Sequence, residues 1–433
     1  RSEYKARLAN PAVAAKLTEK ASQWNALTRT VLSRRTGGPA SPPVVPPSDA
    51  AASTLQLLEK LLTVNPDPNP LWNHRRELLL LGSDDGSAAF PVEAELSLTA
   101  ACLARNPKAY GAWFHRKWSV RRWILSSGGG GEEEGTEAGT GRRSAREDLL
   151  GTELGLCAYL LDRDERNFHC WNYRRFVVAA MLELPALEGG EGIPLLDGSW
   201  GGTGAPAAAG SGAFMGPQIA AGSAKAVPGT GAFPSATAAT DRVVRSEFCF
   251  TTERIEKNFS NCSAFHYRSK LIDMVLDADL RDGGFTDAGE TKPDCYQKRL
   301  NMARRELEIV QSAVFPEPDD QTAWWYHRFA VAWARPGGAD SWSNEADAAD
   351  AREAYAELID GEIESMRELI EAEGGKCKWG LMALHMLLTE MLTQELDLDE
   401  EESEEMLAEA NACLSELAAL DPDRASRYKS MKR

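Results

Sequence analysis

An aromatic residue, any residue, His or Tyr, then Arg recurs five times along the chain. The copies are Trp72-Asn73-His74-Arg75, Trp113-Phe114-His115-Arg116, Trp171-Asn172-Tyr173-Arg174, Phe265-His266-Tyr267-Arg268 and Trp325-Tyr326-His327-Arg328. Imidazole, phenol and guanidinium can bond carbonyls and carboxylates, and Arg three residues after the ring lies on the same helical face. On that reading the aromatics pack between repeats, and His and Arg bond neighbouring turns and acids. A single-stranded RNA surface would use the same residue types, with Arg76, Lys117, Arg121, Arg122 and Arg175 adding charge. Against it stand 65 Asp and Glu to 48 Lys and Arg, a formal charge of −17 that repels a phosphate backbone.

Comparing the copies with one another isolates a second set. Five residues before the aromatic stand Asp67, Lys108, Arg166, Ser260 and Asp320; three before it stand Asn69, Tyr110, Phe168, Cys262 and Thr322. Lys occurs with Tyr in the second copy alone. A turn position that departs from its own repeat consensus is a functional candidate, although Lys108 taken by itself reads as a solvated turn lysine.

Each copy follows a turn-forming segment (NPDPNP, RNPKAY, DRDERN, KNFSN, PEPDDQ) and, before it, an amphipathic run such as Leu55–Leu62, Val92–Ala104, Asp148–Leu161, Val243–Lys257 or Ala303–Val314. The unit is helix, turn, helix, with a period of about 40 residues; such hairpins cannot bury their apolar stripes alone and must stack. The sequence therefore predicts an all-α solenoid. Pro107 predicts that the helix before it stops near Arg105. An N-terminal helical segment occupies 1–36, a Pro-rich stretch follows from Gly37 to Ser48, and the solenoid spans 49–433. Low-complexity insertions fall at about 127–143 and 187–240, the second Gly/Ala-rich, where periodicity disappears.

The eight cysteines form no C-x-x-C pair, which predicts reduced and mostly buried thiols, and no Asp/Cys/His set has metal-ligand spacing. Apolar runs such as Phe176 to Leu182 are shorter than the roughly 18 residues a membrane span needs. With no secretory signal at its start, the chain is expected to be cytoplasmic.

The recurrence resembles the repeats of the alpha subunit of protein prenyltransferases, over about Leu55 to Arg328, with Leu420 to Tyr428 similar to that family's C-terminal helix. Tetratricopeptide repeats, with a period of 34, fit poorly. Asp164–Val177, Lys257–Ser269 and Glu306–Phe329 look most like the Rab geranylgeranyltransferase alpha subunit, and Phe168 favours that type over farnesyltransferase. The chain resembles the short fungal architecture, lacking leucine-rich repeats and any immunoglobulin-like insert.

The resemblance implies a right-handed superhelix wrapping a catalytic α/α-barrel beta subunit. It places zinc and most of the lipid pocket on that subunit, leaving no cofactor on this chain. It also implies geranylgeranyl diphosphate as lipid donor and a Rab GTPase, presented by an escort protein, as acceptor. Asn106-Pro107-Lys108-Ala109-Tyr110-Gly111-Ala112-Trp113 matches the family's diphosphate-facing segment, which assigns Lys108 and Tyr110 to catalysis. His169, Phe168 and Arg166 fall at the substrate or subunit interface. The alternatives are a non-catalytic solenoid adaptor and the alpha subunit of farnesyltransferase or of type I geranylgeranyltransferase.

Overall fold

A proline denies the α region to the residue before it. In the computed structural model Asn106 accordingly sits at φ −136°, ψ 92°, and the helix Val92–Arg105 stops there. The structure describes residues 10–35, 48–81, 90–126, 136–188, 238–282, 292–337, 342, 344–394 and 399–432. They form α1 Pro11–Ser33, α2 Ser48–Val64, α3 Asn69–Leu81, α4 Val92–Arg105, α5 Tyr110–Ser126, α6 Thr136–Arg163, α7 Phe168–Glu188, α8 Ala238–Lys257, α9 Cys262–Asp282, α10 Lys292–Val314, α11 Gln321–Ala334, α12 Glu345–Ala372, α13 Lys378–Thr393, α14 Glu400–Leu420 and α15 Ala425–Met431. No strand occurs among the described residues. None of the helices searched is long and apolar enough to cross a membrane.

The contacts group into two units, 1–209 and 210–433, each an all-α stack. In the first, α2 pairs with α3, α4 with α5 and α6 with α7, and each second helix packs on the second helix of the next hairpin. The N-terminal helix α1 lies on α2 and α3, where Trp24 donates to the Leu61 carbonyl at 3.2 Å. In the second unit the pairs are α8 with α9, α10 with α11 and α12 with α13, followed by α14 and α15. The pair α12–α13 is a further hairpin that the aromatic signature does not mark. Two left-handed glycines, Gly374 at φ 60° and Gly375 at φ 78°, end α12, and the Gly375 N–H returns to the Ile370 carbonyl at 2.8 Å.

Two element boundaries differ from the sequence reading. Helix α6 begins at Thr136, inside the segment read as an insertion, because Glu137, Ala138, Arg142 and Arg143 are good helix formers that offset two glycines. Helices α7 and α8 likewise extend into the ends of 187–240; its remaining residues, 189–237, lie outside the described residues. So do 127–135 and 395–398, whereas Asp399 caps α14 in a reciprocal capping box with Glu402.

Packing between hairpins is aromatic and ionic together. Trp72 lies on His115 with ring centroids 4.7 Å apart, Trp113 on Tyr173 at 5.2 Å, and Phe265 on Tyr326 at 5.0 Å. Each Trp is anchored to the turn six residues earlier: Trp72 to Pro66 O, Trp113 to Pro107 O, Trp171 to Glu165 O and Trp324 to Pro318 O, at 2.7–2.8 Å.

Arginine then clamps a buried glutamate of the next hairpin. Arg75 grips Glu95, Arg116 grips Glu153 and Arg268 grips Glu306, each through two bonds of 2.5–2.7 Å. The same carboxylates accept from the next His or Tyr: His115 on Glu95 at 2.8 Å, Tyr173 on Glu153 at 2.6 Å, and Tyr326 on Glu306 at 2.6 Å. Tyr267 donates to Glu247 at 3.2 Å. Burial opposes ionisation of Glu95, yet the bonds from His115 and Arg75 outweigh it and hold the carboxyl below its ordinary value.

These bonds correct the fifth copy. Trp325 is 47% exposed, whereas Trp324 is buried and carries the bond to Pro318. Tyr326, at the His/Tyr position, binds Glu306; His327 stands where the other copies have Arg and meets Glu362 at 2.9 Å; Arg328 is exposed. The fifth copy is therefore Trp324-Trp325-Tyr326-His327, one residue earlier than the Arg-ended pattern reads.

Candidate functional site

The turn that begins α5 is built by its own side chains. Asn106 Oδ1 accepts the Lys108 N–H at 3.1 Å, and the Ala109 N–H closes on the Asn106 carbonyl at 3.1 Å. Neighbouring turns fasten it from both sides. Asn106 Nδ2 donates to Asp67 at 3.0 Å, and buried Asn167 Nδ2 donates to the Pro107 carbonyl at 2.9 Å. Asn167 also caps α7, accepting from the His169 and Cys170 N–H groups. Gly111 is obligatory here, since a Cβ would lie 2.5 Å from Trp72 Cδ1.

That frame presents four side chains together. The Lys108 side chain is 65% exposed and its Nζ lies 3.0 Å from Asp164 Oδ2. Tyr110, 60% exposed, meets His169 edge-on at 5.9 Å and Phe114 at 6.3 Å. Phe168 is exposed and packs on His169 at 3.9 Å. Burial, and secondly the charge of Lys108, push the His169 pKa down, which keeps its ring neutral at pH 7. Arg166 is exposed in the turn between Asp164 and Asn167. The cluster thus offers an ammonium and a phenol hydroxyl at the start of α5 beside a neutral imidazole, all accessible from solvent.

The repeat-motif residues lie elsewhere. Trp72, His74, Arg75, Trp113, His115, Arg116, Trp171, Tyr173, Arg174, Phe265, Tyr267, Arg268 and His327 are buried in the hairpin stacks. With the fifth copy re-registered, its turn residues become Asp319 and Gln321 in place of Asp320 and Thr322, and Lys with Tyr still occurs in the second turn alone. Sequence reading missed the glutamates Glu95, Glu153, Glu247 and Glu306, although each lies 20 residues before its His or Tyr partner. It also missed Asp164 and Asn167. No group of three or more His, Cys, Asp or Glu among the described residues is placed to hold a metal ion.

The protein prenyltransferase alpha subunit repeat matches at residues 92–127, 150–181 and 244–275, which cover the α4–α5, α6–α7 and α8–α9 hairpins just described. These three hairpins are protein prenyltransferase alpha-subunit repeats. The first matched stretch contains Lys108 and Tyr110, and the second contains Asp164, Phe168 and His169. Among similar proteins is the geranylgeranyl transferase type-2 subunit alpha of Rattus norvegicus, 30% identical over 325 residues, 73% of this chain and 39% of that one. The subunit of the same name from Candida albicans is 24% identical over 383 residues, covering 85% and 82%, and that of Saccharomyces cerevisiae 23% over 380 residues, covering 88% and 84%. The chain spans 39% of the length of the rat relative.

Proposed function

We propose that this chain is the alpha subunit of a heterodimeric geranylgeranyltransferase acting in the cytoplasm on Rab GTPases presented by an escort protein. The observation that carries the reading is the exposed Lys108–Tyr110 pair, held on a rigid turn outside the repeat core. The names of the rat and fungal relatives agree with it.

In this reading the chain's residues act on charge that develops elsewhere. Thioether formation from an allylic diphosphate leaves negative charge on the departing diphosphate, and a preorganised ammonium and phenol hydroxyl stabilise it most in the transition state. Asp164 holds the Lys108 ammonium beforehand. An exposed ion pair of that kind contributes only about 0–1 kcal/mol, so a multiply charged diphosphate displaces it. His169, neutral at pH 7, backs the Tyr110 ring without adding charge. Zinc, which activates the acceptor thiol when bound, belongs to the beta subunit in this reading, and this chain alone is inert.

The test is single-turnover geranylgeranyl transfer by the chain copurified with a candidate beta subunit. Lys108→Ala should slow transfer by about 100-fold, the scale of one lost charge-stabilising donor, while the heterodimer persists. Tyr110→Phe should cost less, and Arg166→Ala less than Lys108→Ala. A normal rate for Lys108→Ala in an intact heterodimer would defeat the assignment.

A further inference from the structure

The first hairpin lacks the acid that every other signature residue grips. His115, Tyr173, Tyr267 and Tyr326 each bind a glutamate 20 residues earlier. The residue 20 before His74 is Thr54. His74 is 4% exposed, and neither ring nitrogen has a hydrogen-bond partner; Nδ1 looks toward Glu77 Oε2 at 3.6 Å, beyond bonding distance. In the second hairpin it is His115 Nε2 that takes the glutamate, so the atom left over in the first is His74 Nε2.

The remaining parts of the clamp are present. Arg34, at the end of α1, donates to Thr54 Oγ1 at 3.2 Å, the side chain that stands in the acid's place. Arg35 holds Glu77 at 2.6 Å and so offsets the charge of that carboxylate. Arg34, Thr54 and His74, with Ala50, Ser53 and Leu78, line an open pocket of about 410 Å³. A buried imidazole left unbonded costs free energy, and a guanidinium beside it selects an anion of planar, bidentate shape.

We infer that this pocket is a carboxylate-binding site, in which one carboxylate takes the place of the missing glutamate between His74 Nε2 and Arg34. The carboxylate is either that of a free small molecule or that of an acidic side chain from a partner chain. The site is separate from Lys108 and Tyr110 and stands whether or not the proposed activity does.

Imidazole ¹⁵N spectra of the full chain, with the His74 signal identified by its loss in His74→Asn, test the assignment. Formate should shift that signal saturably, with half-saturation no tighter than about 1 mM, the ceiling for so small a ligand. Chloride at equal ionic strength should not. N-acetylglutamate amide binding more tightly than formate would identify a partner side chain as the source, and the reverse order a free carboxylate. Thr54→Glu should place the signal at its shifted position without formate, abolish the response and raise Tm by about 2–4 °C. No saturable shift with either probe would overturn the site and leave a water-filled pocket. So would an equal shift with chloride, or an undiminished response in Thr54→Glu.

Discussion

Replacing Arg116 with Met removes a guanidinium that is 4% exposed and leaves Glu153, 1% exposed, facing a thioether. Arg116 makes two bonds of 2.6 Å to Glu153, one of 2.7 Å to the Leu96 carbonyl and one of 2.8 Å to Thr99 Oγ1. Leu96 lies within α4 and Thr99 also bonds the helix backbone, so their losses are small. The cost is set by Glu153, which keeps a single donor, Tyr173. Stranding one partner of a buried ion pair costs about 3–5 kcal/mol. At roughly 2–4 °C per kcal/mol for a unit of about 200 residues, Tm should fall by about 6–20 °C. Scanning calorimetry of Arg116→Met, Glu153→Met and the double variant reads this directly. The double variant should recover most of the loss, because no buried charge is left unpaired. A drop of less than 1 kcal/mol for Arg116→Met, or a double variant worse than both singles, would refute the clamp as the source of stability.

Trp324→Ala should cost about 3–5 kcal/mol in a urea melt and Trp325→Ala within about 0.5, the reverse of what the Arg-ended register requires. Gly111→Ala should lower Tm despite the better helix propensity of alanine, because the methyl group meets an indole anchored at 2.8 Å to Pro66. Asp421 accepts from Lys378, Arg424 and Tyr428, and the Lys378 bond above all lowers its pKa from 3.8 to about 2. A depressed folded-state pKa contributes stability above the unfolded value and loses it below. The packing of α15 should therefore loosen between about pH 4 and pH 2, read as Trp379 fluorescence, and Asp421→Asn should flatten that transition.

The hairpins were legible because an aromatic four residues into every second helix of a signature hairpin leaves a period that composition cannot hide. The end of α4 was legible for a stereochemical reason that acts on one residue pair, Asn106-Pro107. The fifth register was not, since Trp324 and Trp325 are chemically alike and Arg328 completes the pattern. Glu306, 20 residues before Tyr326, decides between them, and that spacing has no local signature. The turn holding Lys108 was singled out by its departure from the other copies, whereas Asp164 and Asn167 come from the next hairpin and only the fold brings them near. The α12–α13 hairpin escaped because its second helix starts at Lys378-Trp379 with no His/Tyr-Arg step, and Cys377 caps it.

The constant separation of 20 residues between glutamate and phenol or imidazole acts as a ruler laid along four of the five signature hairpins. One residue added to the turn at 106–109, 164–167 or 258–261 would rotate the second helix by roughly 100° and carry its Arg and His or Tyr off their acceptors. Between hairpins the arginine clamps span 20, 37 and 38 residues, so no constant count is kept there, and it is there that the extra lengths 127–135, 189–237 and 283–291 fall. This chain can therefore carry extra segments at these joints without re-tuning a repeat. A fluorescent reporter spliced near residue 285 should leave every clamp intact, while a single alanine added after Pro107 should break one.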